Sequence, residues 1–315
     1  MNKKFKNKKI LITGGEGFLG KNLKAKLKEK KYKNITIVSH KNFNLILTQD
    51  VKKMFKKYKP QIVFHLAAAV GGIGINKINP GKFFYENAMM NLNVIHEAYI
   101  HKVEKIISTG SVSSYPMKIS LPLKEKNLWD GYPGEINSSY GIAKRLIHSQ
   151  SLSYEKQYKF KSILLLLTNL YGPLDNFNPK TSHVIASLIK KFLEAKIKNK
   201  KQVVVWGNGK ATRDFCYVED ITEGLIQTAE KYNSTEPLNL GSGKQVSIKK
   251  IAKIIKKLID YKGSIKWDPN KPVGPKKRFL SIKNAKKKIG FRAKTSIENG
   301  LKKTINWYLN ENLKY

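Results

Sequence analysis

The stretch KKILITGGEGFLGKNLKAKLKEKK, residues 8–31, constrains this chain more than any other. A run of apolar residues (8–13) predicts a strand, and the amphipathic pattern from about 18 to 30 predicts a helix. Between them Gly14, Gly17 and Gly20 are spaced as G-x-x-G-x-x-G. In a strand–turn–helix unit the first glycine permits a tight turn. The second lets the backbone approach a pyrophosphate, and the third allows close helix–strand packing with the helix N-terminus facing the anion. A chain that begins this way is committed to a dinucleotide-binding α/β fold.

The end of the second predicted strand reads out which dinucleotide. NAD sites usually carry an Asp or Glu there for the ribose hydroxyls. This sequence has VSHKNFN, and no acid occurs from 35 to 49. A carboxylate repels a 2′-phosphate and a lysine attracts one. His40 and Lys41 are therefore candidate cofactor ligands, and NADP (as NADPH) is the expected cofactor.

Strands continue to alternate with helices. ITIVS, IVFHLAA, KIISTG and SILLLLT read as strands, and IVFHLAA has the near-continuous apolar character of a doubly covered parallel sheet. TQDVKKMFKKY, with Thr48 as its cap, and residues 81–101 and 138–158 read as helices. The expected fold class is α/β, a doubly wound parallel sheet (Rossmann) with a smaller C-terminal substrate lobe. The expected division is 1–170 for the dinucleotide-binding domain, with elements returning from about 203–240, and 171–315 for the nucleotide-sugar-binding lobe. In the latter, VVVWGNGKATRDFCYVED reads as two short strands around a turn.

Composition narrows the class. A single cysteine, Cys216, excludes a disulfide framework within the monomer. The apolar run ILLLL at 163–167 is far too short to span a bilayer, so no membrane is expected and the cytoplasm is the expected location. The net charge of +39 invites a nucleic-acid reading. Its lysines, however, are scattered over nearly every predicted helix, with no element that interleaves them with aromatics, so no nucleic acid is expected as partner. Only four of the 61 basic residues are Arg: Arg145, Arg213, Arg278 and Arg292. In a chain that otherwise prefers Lys, an Arg marks a place where a planar fork is needed. No His/Cys/acid spacing suggests a metal.

SSYGIAK places Tyr140 and Lys144 at i and i+4, on one helix face. A neighbouring ammonium is expected to lower the phenol's pKa, so that the pair can move a proton at a carbonyl while a hydride passes to or from a nicotinamide. Ser111 follows the fourth strand, about 30 residues earlier. This order of cradle, serine and YxxxK resembles the extended short-chain dehydrogenase/reductases of the NAD-dependent epimerase/dehydratase family. The segments HLAAAVGGI, NAMMNLNVIHEA, GSVSSYP, TNLYGPLDNFNP, SHVIASLIKKFLEA and VWGNGKATRDFCYVEDI are similar in particular to its GDP-fucose synthase branch.

That resemblance implies a GDP-linked 4-keto-6-deoxy sugar as substrate. The C4 ketone acidifies C3 and C5 for epimerisation, and C4 is then reduced. Tyr140 is implied as proton donor to the C4 oxygen, Lys144 as ligand to the nicotinamide ribose, and Ser111 as hydrogen-bond donor to the same oxygen. The branch's epimerisation pair is a cysteine and a histidine. The histidine is here as His183, while the cysteine position is Ser113. A thiol, with reference pKa near 8.5, exchanges protons near neutrality, whereas a serine needs an adjacent base. A C4 ketoreductase with weakened or lost epimerisation is the expectation, with intact double epimerisation as the contrasting one.

Lys191, Trp206 and Arg213 are implied as contacts to the GDP-sugar, with core packing the competing reading for Trp206. Asn169 is implied beside the nicotinamide. Arg278 is a candidate for the phosphates, a solvated basic turn being the alternative. KPVGPKKRFL departs from the branch at Val273, where an acid is common, and the sugar, hexose or heptose, stays open. A homodimer through the helices at 81–101 and 138–158 is implied by the resemblance alone. A nucleotide-sugar 4-epimerase or dehydratase holding NAD tightly is the rival reading, and a nucleic-acid-binding protein on the same fold a remote one.

Overall fold

In the computed structural model the chain is described over residues 3–71, 78–134, 137–179, 181–271 and 274–312. Val273, the departure noted above, lies outside the described residues. Six strands form one sheet: β1 (Ile10–Thr13), β2 (Ile35–Val38), β3 (Ile62–His65), β4 (Lys105–Ser111), β5 (Ser162–Leu167) and β10 (Leu238–Leu240), in the order β10-β5-β4-β3-β1-β2. Every pairing in it is parallel. The expected Rossmann-like α/β class is what the structure has.

Alternate side chains along these strands serve two cores. Ile10, Ile12, Phe64, Ile107 and Leu165 pack with Leu23 and Leu27 of α1 (Phe18–Glu29) and with Ile221 and Leu225 of α6 (Val218–Lys231). Leu11, Val63, Ile106, Leu164 and Leu166 face the other way. They meet Val51 of α2 (Thr48–Tyr58), Val94 of α3 (Pro80–Ile100) and Ile147 of α4 (Ser138–Tyr158). At roughly 25 cal/mol per Å² of apolar area, this two-sided burial is the main stabilising term of the domain. Strand β1 has β2 on one side and β3 on the other, so the strand order reverses there. The crevice at such a reversal, outside the carboxyl ends of the strands, is where open α/β sheets bind ligands.

A third core belongs to the smaller lobe. It gathers Ile185, Ile189 and Phe192 of α5 (Val184–Ile197) with Val203 and Val205 of β7 (Gln202–Trp206), Ile251 and Ile255 of α7 (Ile248–Ile259), and Leu301 and Ile305 of α9 (Ile297–Asn312). Its strands are short and pair across long sequence separations. β6 (Asn169–Tyr171) runs beside β9 (Phe215–Tyr217), and β7 beside β12 (Ser264–Asp268). β8 (Thr212–Arg213) lies between β11 (Val246–Ser247) and β13 (Lys277–Arg278). The strands of VVVWGNGKATRDFCYVED thus join three different sheets rather than one hairpin. Gly207 and Gly209, both at positive φ, redirect the chain between them. Helix α8 (Lys283–Ile289) returns to pack on α6 and β10.

Thr48 does not cap α2. It is the helix's first residue, Leu47 holds the cap position, and the Thr48 hydroxyl donates to Asn93 Oδ1 at 3.1 Å. Among the described residues no helix is long and apolar enough to cross a membrane.

Candidate active site

The glycine cradle closes β1. Gly14 takes φ +67°, and a Cβ on it would lie 2.7 Å from the Ala67 nitrogen just beyond β3. Gly17 donates its N–H to the Gly14 carbonyl at 3.1 Å. A side chain on Gly20 would run into that same carbonyl, so Gly14 and Gly20 are needed by geometry, while a Cβ on Gly17 would sit 3.3 Å from it. Gly17 occupies the cap position of α1 without a side-chain cap, which leaves the first-turn N–H groups to an anion. Because β2 lies beside β1, with Thr13 opposite Val38, Ser39, His40 and Lys41 emerge next to this turn. His40 and Lys41 are both exposed there.

Directly beneath the cradle runs a buried polar chain that sequence reasoning left unread. Thr13 Oγ1 lies 2.7 Å from His65 Nδ1, His65 Nε2 lies 3.1 Å from Asn91 Oδ1, and Asn91 Nδ2 donates to the Ala143 carbonyl at 3.1 Å. A carbonyl can only accept, so the Asn91 amide is fixed with its oxygen toward His65. That oxygen requires a proton on Nε2, which leaves Nδ1 to accept from Thr13. Burial, then the charge of nearby Lys144, pulls the His65 pKa down to about 3. The neutral ring ties β1, β3, α3 and α4 together one residue before Lys144.

Lys144 is 1 % exposed, and its Nζ has no hydrogen-bond partner among the described residues. Burial pulls its pKa down to about 8. Its Nζ lies 5.9 Å from the centroid of the Tyr140 ring. The expected lowering of the phenol is not what the structure shows. Tyr140 is part-exposed, yet desolvation by the surrounding protein pushes its pKa up to about 12.

Ser111 ends β4 and caps a 3-10 turn (Val112–Ser114), its Oγ accepting from the Ser113 N–H at 3.1 Å. That bond uses a lone pair and leaves the Ser111 proton free to be donated. Ser113 is part-exposed, while Ser114 is fully buried. A Cβ on Gly141 would come 2.7 Å from the Ser113 carbonyl, so the glycine after Tyr140 lets helix α4 close on the serine turn. Cys216, on β9, is 1 % exposed, and burial raises its thiol well above the usual range. It is a core residue.

His183 holds the cap position of α5. Its surroundings lower its basicity through desolvation, and the helix N-terminus acts in the same direction. Among the described residues no side-chain hydrogen bond joins it to Ser111 or Ser113. Lys191 Nζ donates to the Val204 carbonyl at 3.2 Å and lies 5.6 Å from the Trp206 ring centroid. Trp206 is 52 % exposed, which removes the core reading for it. Asn169 donates to the Asp214 carbonyl at 3.0 Å. Asp214 is fully buried, its carboxylate accepting from the N–H groups of Ser242, Gly243 and Leu280. Arg213 and Arg278 are opposite one another in the β8–β13 ladder. Arg278 is not a solvated turn residue: it is 8 % exposed, and its guanidinium donates to the Pro116 and Tyr115 carbonyls. Among the described residues no group of three or more His, Cys, Asp or Glu is placed to hold a metal.

A glycine cradle at the switch point of a parallel sheet, with serine, tyrosine and lysine at its carboxyl side, defines a dinucleotide-dependent enzyme of the short-chain dehydrogenase/reductase type. The chain belongs to the NAD dependent epimerase/dehydratase family, which residues 10–241 match. A putative GDP-L-fucose synthase 2 of Arabidopsis thaliana is 37% identical over 305 residues, covering 96% of this chain and 92% of that one. Among solved structures, a GDP-6-OMe-4-keto-L-xylo-heptose reductase from C. jejuni superposes with a TM-score of 0.93 at 29% identity, over 98% of this chain and 99% of that one. A GDP-L-fucose synthetase from Naegleria fowleri bound to NADP gives a TM-score of 0.92 at 31% identity, over 98% and 95% of the two chains.

Proposed function

We propose that this chain is an NADPH-dependent C4 ketoreductase of a GDP-linked 4-keto-6-deoxy sugar, with C3/C5 epimerisation weakened or lost at Ser113. The observation that carries it is the buried, unpartnered Lys144 ammonium beside Tyr140, with the Ser111 proton free. An unpaired buried ammonium calls for acceptor oxygens, and ribose hydroxyls supply them. The three-glycine cradle and the capless α1 N-terminus fit the pyrophosphate, and His40 and Lys41 fit a 2′-phosphate. Asn169 borders the nicotinamide. When bound, the reduced nicotinamide supplies the hydride.

The chain's own residues do the rest. Arg213, with Lys191 and Trp206 at the outer end, holds the nucleotide diphosphate and its base or sugar. Ser111 donates to the C4 oxygen, where negative charge develops as the carbonyl is reduced. Tyr140 carries its proton at neutral pH, as a phenol raised to about 12 must, and hands it to that oxygen. Lys144 stabilises the phenolate that remains. Ser113 has no base bonded to it among the described residues, so the proton exchange a thiol would perform at this position has no counterpart. The heptose reductase named above is similar to this chain and is described as a reductase, which supports the same division. A homodimer is part of the proposal, formed through the outward faces of α3 and α4, where Leu92, Ile100, Leu152 and Tyr158 are exposed.

Incubation with NADPH and GDP-4-keto-6-deoxy-mannose in deuterated water, followed by NMR of the product, tests the reading. Reduction at C4 without ring deuterium is expected. Deuterium at both C3 and C5 with a fuco product would show that Ser113 and His183 suffice for epimerisation. No NADPH oxidation with this or related 4-keto sugars would remove the ketoreductase assignment.

A further inference from the structure

Two of the four arginines converge on one short segment of backbone. Arg278 donates from Nη1 to the Pro116 carbonyl at 2.8 Å and from Nη2 to the Tyr115 carbonyl at 3.4 Å, with Met117 Sδ at 3.9 Å. Arg145 donates from Nε to the Ser114 carbonyl at 2.7 Å, its guanidinium 5.3 Å from the Trp129 ring centroid. Both side chains are buried. Three consecutive carbonyls, 114 to 116, are thus held by guanidinium groups arriving from α4 and β13. They lie immediately after the turn that carries Ser111 and Ser113.

We propose that Arg145 and Arg278 are positioning residues that clamp this segment and set where Ser111 meets the substrate oxygen; the proposal rests on the ketoreductase reading. Upstream, Ser111 is fixed by its register with Leu167 in the β4–β5 ladder. Downstream, the chain has left the sheet; Tyr115 on Asn239 and the Met117 N–H on the Tyr132 carbonyl hold it at single points, and the two arginines add the bonds that fix the 114–116 carbonyls next to the serine turn. A lysine ends in a single point charge, whereas the guanidinium fork spans two successive carbonyls. That requirement accounts for arginine at 278 in so lysine-rich a chain; Arg145 makes one such bond, from Nε, and stacks its guanidinium near Trp129. The ladder partners differ in degree: Arg278 gives both Nη groups to backbone carbonyls, while Arg213 gives Nη1 to the Thr212 carbonyl at 2.8 Å and keeps its other donors for the diphosphate.

The test uses Arg278→Lys and Arg145→Lys in the full chain. Three quantities are read: NADPH oxidation with the keto sugar, GDP affinity by calorimetry, and amide exchange across 111–117. Misplacing a reacting group by about 1 Å costs on the order of 100-fold in rate. Arg278→Lys is therefore expected to lower kcat roughly 10- to 100-fold, with KM for the nucleotide sugar and Kd for GDP and NADPH within about twofold. Exchange at 112–115 and at 117 is expected to rise about tenfold or more. A role confined to stability would shift Tm and leave kcat of the folded variant unchanged. Wild-type kcat and protection in Arg278→Lys, or GDP affinity weakened more than about fivefold, overturns the clamp; the latter makes Arg278 a phosphate ligand. Should the wild type fail to oxidise NADPH, the functional reading falls, and the exchange data alone decide the clamp: unchanged protection overturns it.

Discussion

Lys144 and Tyr140 stand one helical turn apart with the ammonium 5.9 Å from the ring centroid, Lys144 buried and Tyr140 part-exposed, and desolvation moves their pKa values in opposite directions. The phenol is driven up to about 12 and the ammonium down to about 8, so between them they keep two protons at neutral pH.

That pairing fixes the pH dependence of reduction. In the proposed mechanism Tyr140 must be protonated and Lys144 charged, and both conditions hold below about 8. The free-enzyme kcat/KM is expected to be level from pH 6 to 7.5 and to fall as pH rises through about 8, where Lys144 loses its charge. Tyr140→Phe is expected to lower kcat by about 100- to 10,000-fold, the usual worth of a positioned general acid. A profile that rises through pH 8 would assign the proton donor elsewhere.

The His65 chain makes a stability prediction of definite sign. The folded state binds a proton at His65 only near pH 3, the unfolded state near 6.5. The neutral ring is favoured above 6.5, and stability is lost as pH falls from 6.5 toward 3, by about 1.4 kcal/mol per pH unit at most. Urea unfolding at pH 7, 5.5 and 4.5 is expected to show that slope in the wild type. His65→Gln is expected to be less stable at pH 7 and to have a flatter slope.

In the proposed reading cofactor choice rests on the turn after β2. Lys41→Glu is expected to weaken NADPH binding about tenfold or more, the scale of one charged hydrogen bond lost and a repulsion gained, while NADH binding changes little. Fluorescence titration of both cofactors reads the ratio directly.

Gly20→Ala places a methyl group against the Gly14 carbonyl. The cradle must open to admit it, so NADPH affinity is expected to fall more than about tenfold, with Tm lowered by a few degrees. Unaltered affinity would mean the pyrophosphate lies off this turn.

Much of the main sheet was legible in the chain because its strands are unbroken apolar runs and its helices are long and amphipathic. The cradle, Ser111 and the Tyr140–Lys144 pair were legible because each is local: every atom that matters lies within a few residues. The smaller lobe resisted for the opposite reason. Its strands β8, β11 and β13 have two residues each and are defined only by distant partners. Arg278 was visible as one of few arginines, yet its partners lie 162 and 163 residues away. The rise in the Tyr140 pKa had no sequence signal either, since the i, i+4 spacing reports the ammonium and says nothing of the enclosure.

The sheet order has a consequence for synthesis on the ribosome. Strand β10, at the edge beside β5, comes from residues 238–240, after β6 to β9 of the other lobe have been made. Until it emerges, the six-residue SILLLL segment has an open edge, the kind of template on which nascent chains pair with one another. Shielding that edge waits on translation well past the last catalytic residue of the YxxxK helix, so fragments ending between 170 and 237 are expected to emerge aggregation-prone, however complete their cofactor cradle.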